Sequence, residues 1–133
     1  MSVVFLDTVG LLALWDEDDQ WHADATAAFA SLAGAKTRLI TTTFVLLECG
    51  NAAARRPYRL RVNALRQTMA ARSEALIPTE DDWQLAWQAY ERSEANNAGI
   101  VDHVSFAVMR RLGLTQAFTN DRHFEAAGFE VLF

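Results

Sequence analysis

A three-layer α/β sandwich, with a central parallel sheet of about five strands and helices on both faces, is the fold this sequence predicts. Three observations predict it. Short, continuous apolar runs recur along the chain, as strands covered on both faces require. Longer segments with helical spacing and capping residues stand between them, and such alternation needs crossover connections and hence parallel pairing. The third observation is bulk: 133 residues, 51% hydrophobic and 22% charged, are enough for one domain to bury a core without disulfides or a structural metal.

Val3–Leu6 is the first strand, ended by Asp7 and Thr8. Gly10–Trp15 reads as a short helix. After the polar stretch 16–20, an alanine-rich helix runs from His22 to Leu32 and closes at Gly34. Arg38–Thr42 is the second strand. Thr43 is placed to cap a helix over Phe44–Ala54, which carries Glu48 in its middle with Asn51 and Ala52 on the same side. Pro57 breaks the pattern and opens the next helix at its first turn, reaching about Ser73. Ala75–Ile77 is the third strand, and the acids of Thr79-Glu80-Asp81-Asp82 suit the positive end of a helix through about Glu94. Asn96–Gly99 is a loop, Val101–Leu112 a helix stopped by Gly113, and Ala117–Thr119 the fourth strand. A brief helix, Asp121–Ala126, and a strand, Glu130–Phe133, close the chain. With no internal repeat, low-complexity tract or long linker, a single domain over residues 1–133 is expected.

Four acids stand at the edges of apolar segments: Asp7 in VVFLDT, Glu48 in FVLLECGNAAA, Asp102 in GIVDHVSFAVM and Asp121 in AFTND. Among Val, Leu and Phe a carboxylate loses hydration, which costs free energy or forces its pKa upward. Each has an ordinary explanation singly. Asp7 fits a strand-end turn, Asp102 a helix N-terminus, and Asp121 a cap on the helix that follows. Glu48 resists such a role, because the middle of an apolar run is a poor place for a solvated acid. Topology offers one reason for all four. Ligands bind outside the carboxyl ends of parallel strands; Asp7 follows strand one, Asp121 follows strand four, and the helices carrying Glu48 and Asp102 reach the same edge. Such a cluster of hard oxygen donors binds Mg²⁺ or Mn²⁺ and serves phosphodiester chemistry.

The net charge of −5 argues against non-specific nucleic-acid binding by the whole surface. Basic residues are nevertheless concentrated locally: Arg55, Arg56, Arg59, Arg61, Arg66 and Arg72 lie within one stretch, which is either a solvated helix face or a phosphate-tracking surface. Cys49, the sole cysteine, sits in an apolar run and reads as an inert buried thiol. His22, His103 and His123 lack zinc-ligand spacing, and His123 reads first as a surface residue on a short helix and otherwise as a contact for a substrate phosphate. Trp83 and Trp87, four apart, read as core or as a dimer seam. No apolar run is long enough to span a membrane and the first residues lack a basic signal-peptide start, so the cytoplasm is expected.

The segments VVFLDT, TTTFVLLECGNA, VDHVSFAVMRRLGL and AFTNDRHFEAAGFEVL, in this order and at these spacings, resemble the PIN domain. Within that family the chain is similar to the VapC-type ribonuclease toxins of bacterial toxin–antitoxin pairs. The resemblance covers essentially the whole chain. It implies an endoribonuclease that depends on Mg²⁺ or Mn²⁺, with Asp7, Glu48, Asp102 and Asp121 as metal-holding catalytic acids and Thr8, Ser105 and Thr119 as supporting polar residues. Arg55, Arg56, Arg59, Arg61, Arg66 and Arg122 are the candidates to hold the RNA backbone. The resemblance also implies a homodimer and a cognate antitoxin, whose groove would lie near Leu11, Leu12, Trp15 and Trp21, most of which read first as core filling. A phosphoacceptor receiver needs a late lysine, whereas the only lysine is Lys36; a dehalogenase-type phosphatase needs a second Asp where Val9 stands. The remaining alternative is a PIN-like module that binds nucleic acid or protein without catalysis, and the presence of all four acids speaks against it.

Overall fold

The computed structural model describes residues 2–133. Its sheet has five parallel strands in the order β3-β2-β1-β4-β5. The strands are β1 (Val3–Leu6), β2 (Arg38–Thr42), β3 (Ala75–Leu76), β4 (Gln116–Phe118) and β5 (Glu130–Val131). Packed around them are α1 (Thr8–Trp15), α2 (His22–Gly34), α3 (Thr43–Ala52), α4 (Arg59–Ala71), α5 (Glu80–Glu91), the short turn α6 (Glu94–Asn97), α7 (Ile100–Leu112) and α8 (Arg122–Ala126). β1 is central, and its Val4, Phe5 and Leu6 have no exposed surface, as the continuous apolar run required. Phe5 pairs with Ile40 on one side and Ala117 on the other.

The chain leaves β1 toward β2 and β3, then returns past β1 to β4 and β5. Strand order therefore reverses at β1, and the crevice between the carboxyl ends of β1 and β4 is the topological switch point where ligands bind in such sheets. Two contacts fix that edge. Thr41 of β2 donates its hydroxyl to the Leu6 carbonyl at 2.8 Å, pinning the last residue of β1. Gly10 brings α1 against the end of β4 so closely that a Cβ there would stand 2.0 Å from the Phe118 carbonyl oxygen. An aromatic cluster holds the other side of the edge: Phe106 of α7 meets Phe124 of α8 edge-to-face at 4.9 Å, with Phe129 tilted beside both.

Several boundaries differ from the sequence expectation, each for a local reason. α1 starts at Thr8 rather than Gly10, because Asp7 occupies the cap position and its carbonyl accepts the Leu11 amide at 3.1 Å. Thr42, not Thr43, caps α3 by accepting the Val45 amide, and that helix stops at Ala52. Pro57 lies in a turn closed from the Arg59 amide to the Arg56 carbonyl, so α4 begins after it. α5 ends at Glu91 because Ser93, Ala95, Asn96 and Asn97 all take left-handed φ, a run no right-handed helix can include. β4 ends one residue early, which frees Thr119 from the strand.

α7 is set by α5. Thr79 and Asp82 form a capping box at the start of α5, and the buried Asp82 carboxylate also takes a two-pronged ion pair from Arg111 of α7, at 3.0 and 2.9 Å. Burial alone would push that carboxyl up, but Arg111 and the Thr79 amide and hydroxyl bring it below its ordinary value. Trp83 and Trp87 are not core: they lie on the outer face of α5, 38% and 41% exposed, in an edge-to-face series running Phe44, Trp83, Trp87, Tyr90.

Candidate active site

Asp7 is the floor of the site. It stands directly after β1 with 2% of its surface exposed and caps α1 through its backbone only, since its side chain makes no capping bond. Its carboxylate instead accepts the Thr119 hydroxyl at 2.8 Å, from the residue directly after β4. The same Thr119 oxygen accepts the Asp121 amide at 3.0 Å, so one side chain ties Asp7 to Asp121 across the switch point.

The other acids form the rim. Glu48, at the middle of α3, is half-buried, and its Oε1 accepts the Thr8 hydroxyl at 2.7 Å. Asp102 lies in the first turn of α7, half-buried. Asp121 caps α8 by accepting the His123 amide at 2.9 Å, and the same Oδ1 meets His123 Nδ1 at 2.8 Å. Oxygens of Asp102 and Asp121 and a ring nitrogen of His123 lie within 4.8 Å of one another. His123 thus belongs to the cluster and is not an incidental surface residue. Its position two residues after a capping Asp was the available signal, because the second helical residue faces the cap.

Electrostatics join all four carboxylates. The Asp7 carboxyl is pushed from 3.8 up to about 8, first by burial and then by Asp102, with Asp121 adding to it; the Thr119 bond and the Thr8 amide pull the other way. Asp102 is pushed from 3.8 to about 6, by burial, Asp121 and Glu48, against smaller pulls from His123 and the Gly99 backbone. Cys49, beneath the site, is pushed up to about 12 by burial and then by Asp7, so its thiol stays protonated. Among the described residues the main charges acting on Asp7 and Asp102 are therefore other carboxylates and one histidine, with no arginine or lysine. Hard, crowded oxygen donors with His123 as their one cationic partner among the described residues fit a divalent cation.

The other candidates make no hydrogen bond to the four acids among the described residues. Ser105, one turn beyond Asp102, is fully buried, and its hydroxyl has no hydrogen-bond partner. Arg56 is paired with Asp16 at 3.1 Å and Arg122 with Glu125 at 2.6 Å. Arg56 and Arg61 line a concavity of about 400 Å³ with Trp15 and Tyr58, whereas Arg59 and Arg66 line another of about 490 Å³ between α3 and α4. Arg55 is exposed. Leu11 and Trp15 are buried, although Trp15 also lines the concavity it shares with Arg56 and Arg61; of the two early tryptophans Trp21 is the exposed one.

The PIN domain family model matches residues 4–130. Among curated proteins, the 23S rRNA-specific endonuclease VapC20 of Mycobacterium tuberculosis, in strains CDC 1551/Oshkosh and ATCC 25618/H37Rv, is 32% identical over 132 residues, covering 96% of this chain and 95% of the relative. The crystal structure of Mycobacterium tuberculosis VapC20, described as a sarcin–ricin loop cleaving toxin, superimposes with a TM-score of 0.79 at 29% identity, covering 96% of each chain. Carboxylates gathered at the switch point of a parallel sheet in this order, a family match over nearly the whole length and a like-folded VapC relative agree: the chain belongs to the PIN domain family.

Proposed function

We propose that this protein is a divalent-metal-dependent endoribonuclease, the toxin of a type II toxin–antitoxin pair, with Asp7, Glu48, Asp102 and Asp121 holding Mg²⁺ or Mn²⁺. The observation that carries the reading is the carboxyl of Asp7: buried, pushed up to about 8 and acted on by Asp102 and Asp121, with Glu48 acting in turn on Asp102. A divalent ion bound there supplies Lewis acidity, lowering the pKa of a water and offsetting charge on the phosphoryl oxygens. The protein's part is positioning. Thr119 holds Asp7 and Thr8 holds Glu48, each by a short hydroxyl bond, so the carboxylates are oriented before substrate arrives. Because Asp7 is buried while the other three acids are half-buried, the cluster opens to solvent over its rim, where a phosphodiester can enter. Water attacks phosphorus in line; the new P–O bond forms as the P–O3′ bond breaks, and the proton lost by water ends on the 3′ oxygen. The products carry a 5′-phosphate and a 3′-hydroxyl, and the 2′-hydroxyl takes no part.

The VapC20 relatives act on 23S rRNA, which makes a structured ribosomal RNA loop the first substrate to test. The unpaired backbone of such a loop would be held by the exposed arginines of the stretch from Arg55 to Arg66. The exposed aromatic series on α5 is the proposed seam of a homodimer, and a cognate antitoxin is the proposed regulator. The test is incubation of the purified protein with ribosomes and Mg²⁺, followed by mapping of 5′-phosphate ends. Discrete cuts by the wild type, absent in EDTA and in Asp7→Asn, support the reading. Cuts that persist in both would overturn it.

A further inference from the structure

His123 has no part in the metal-holding set proposed above, yet it makes two contacts to one oxygen of that set. Its backbone amide and its ring Nδ1 both reach Asp121 Oδ1, at 2.9 and 2.8 Å. A carboxylate oxygen only accepts, so Nδ1 carries the proton of the ring contact and the lone pair of a neutral ring sits on Nε2. Oδ1 is thereby occupied twice, while Oδ2 receives no protein hydrogen bond among the described residues. Thr119 fixes the same residue from behind through the Asp121 amide. Asp121 is thus clamped in a single orientation, with one oxygen engaged and the other free, beside Asp102.

We infer that His123 is a positioning residue of the metal centre: its Nδ1–H holds Asp121 Oδ1 so that Oδ2 is presented to the cation. The inference rests on the metal-dependent reading of this site and adds to it a residue whose side chain acts through another. Groups that orient a ligating carboxylate contribute roughly 10- to 100-fold to metal affinity. The ring is well suited to the task because Nδ1 is attached next to the branch point and reaches back to the cap with few torsions to order, whereas a longer side chain would need more.

The test is calorimetric titration of Mn²⁺ into the full chain and three variants, none of which loses the residue-123 amide that caps α8. Asparagine places an N–H donor where Nδ1 stands on the ring; glutamine places one where Nε2 stands. The expected result is Mn²⁺ binding weaker by about 10- to 100-fold in His123→Ala and in His123→Gln, with His123→Asn within a few-fold of wild type. Metal-free melting curves should show all four proteins folded with similar transitions. Equal Mn²⁺ affinity in wild type and His123→Ala would overturn this inference and leave the metal centre standing. Rescue by glutamine but not asparagine would overturn it too, because that pattern means Nε2 binds the ion directly. A wild type that fails to bind Mn²⁺ removes the metal-centre reading and this inference together.

Discussion

Asp7 combines two properties that an ordinary structural acid lacks: near-complete burial and two like charges, Asp102 and Asp121, acting on it. Asp7→Asn keeps its volume and a carbonyl oxygen for the Thr119 hydroxyl while removing the charge. Cleavage should therefore fall by roughly 10²- to 10³-fold, the scale of losing one preorganised electrostatic group, while the metal-free protein melts at or above the wild-type temperature. A variant that melts far below wild type would return Asp7 to a purely structural role. Asp7, which taken singly fits a strand-end turn, was legible because topology brings it to the same sheet edge as the other acids. Glu48 was legible by the same logic, although the Thr8 hydroxyl that holds it is visible only once α1 and α3 meet. His123 was harder to read: its place two residues after a capping Asp was a signal, but the ring takes that place whether it faces solvent or the carboxylate, and the cap geometry decides.

At the scale of elements, two contacts position the acids. α1 lies against the β4 carbonyl end only because residue 10 has no Cβ, and the atoms in the way are backbone, which has little freedom to yield. Gly10→Ala should thus destabilise by several kcal/mol, at or above the roughly 1–3 kcal/mol usual for overpacking, and should cut activity in whatever fraction remains folded by displacing Thr8 and Asp7. Denaturant melts with a parallel activity assay check it; an alanine variant of normal stability and rate would show that α1 does not need its close approach. Asp82→Ala removes one half of a capping box and the partner of Arg111, which is 40% exposed and can rehydrate, so about 1–2 kcal/mol should be lost. The parallel sheet and the strand-by-helix alternation followed from apolar runs and crossover rules, so the fold's plan was readable, whereas the order of the strands within the sheet was not. Boundaries were less so, because they turn on which of two adjacent threonines reaches an amide, as at Thr42 and Thr43, or on the left-handed run after α5, which no residue there announces by being glycine. The exposure of Trp83 and Trp87 was hidden for a related reason: an i,i+4 aromatic pair has the same spacing in a core as on an outer face.

For the whole molecule, the carboxylate cluster links stability to pH and to metal. Asp7 and Asp102 bind protons more tightly folded than unfolded, Asp7 between 3.8 and about 8 and Asp102 between 3.8 and about 6. Across those windows the folded state holds the extra protons, so metal-free stability should fall as pH rises, by up to about 1.4 kcal/mol per pH unit for each group. The fall should be steepest below pH 6, where both act, and should continue to about 8 through Asp7 alone. Asp82 works in the opposite sense: its carboxyl lies below 3.8 when folded, so its contribution is present above that value and is lost only in stronger acid. A metal-free melting temperature that climbs from pH 5 to 8 would contradict the assigned shifts.

The shared pocket itself is tested most directly by melting temperatures at pH 7.5, in EDTA and in millimolar Mn²⁺, for the wild type and Asp102→Asn. A divalent ion that binds only the folded state adds RT ln(1 + [L]/Kd), about 2.7 kcal/mol at a hundred times Kd, which is several degrees for a domain of this size. The wild type should therefore gain several degrees from Mn²⁺. Asp102→Asn should melt higher than the wild type in EDTA, having lost one of the repelling charges, and should gain much less from the metal. A wild type indifferent to Mn²⁺, together with an Asp102→Asn that is destabilised in EDTA, would mean that these acids are separate structural caps and that no common metal pocket exists.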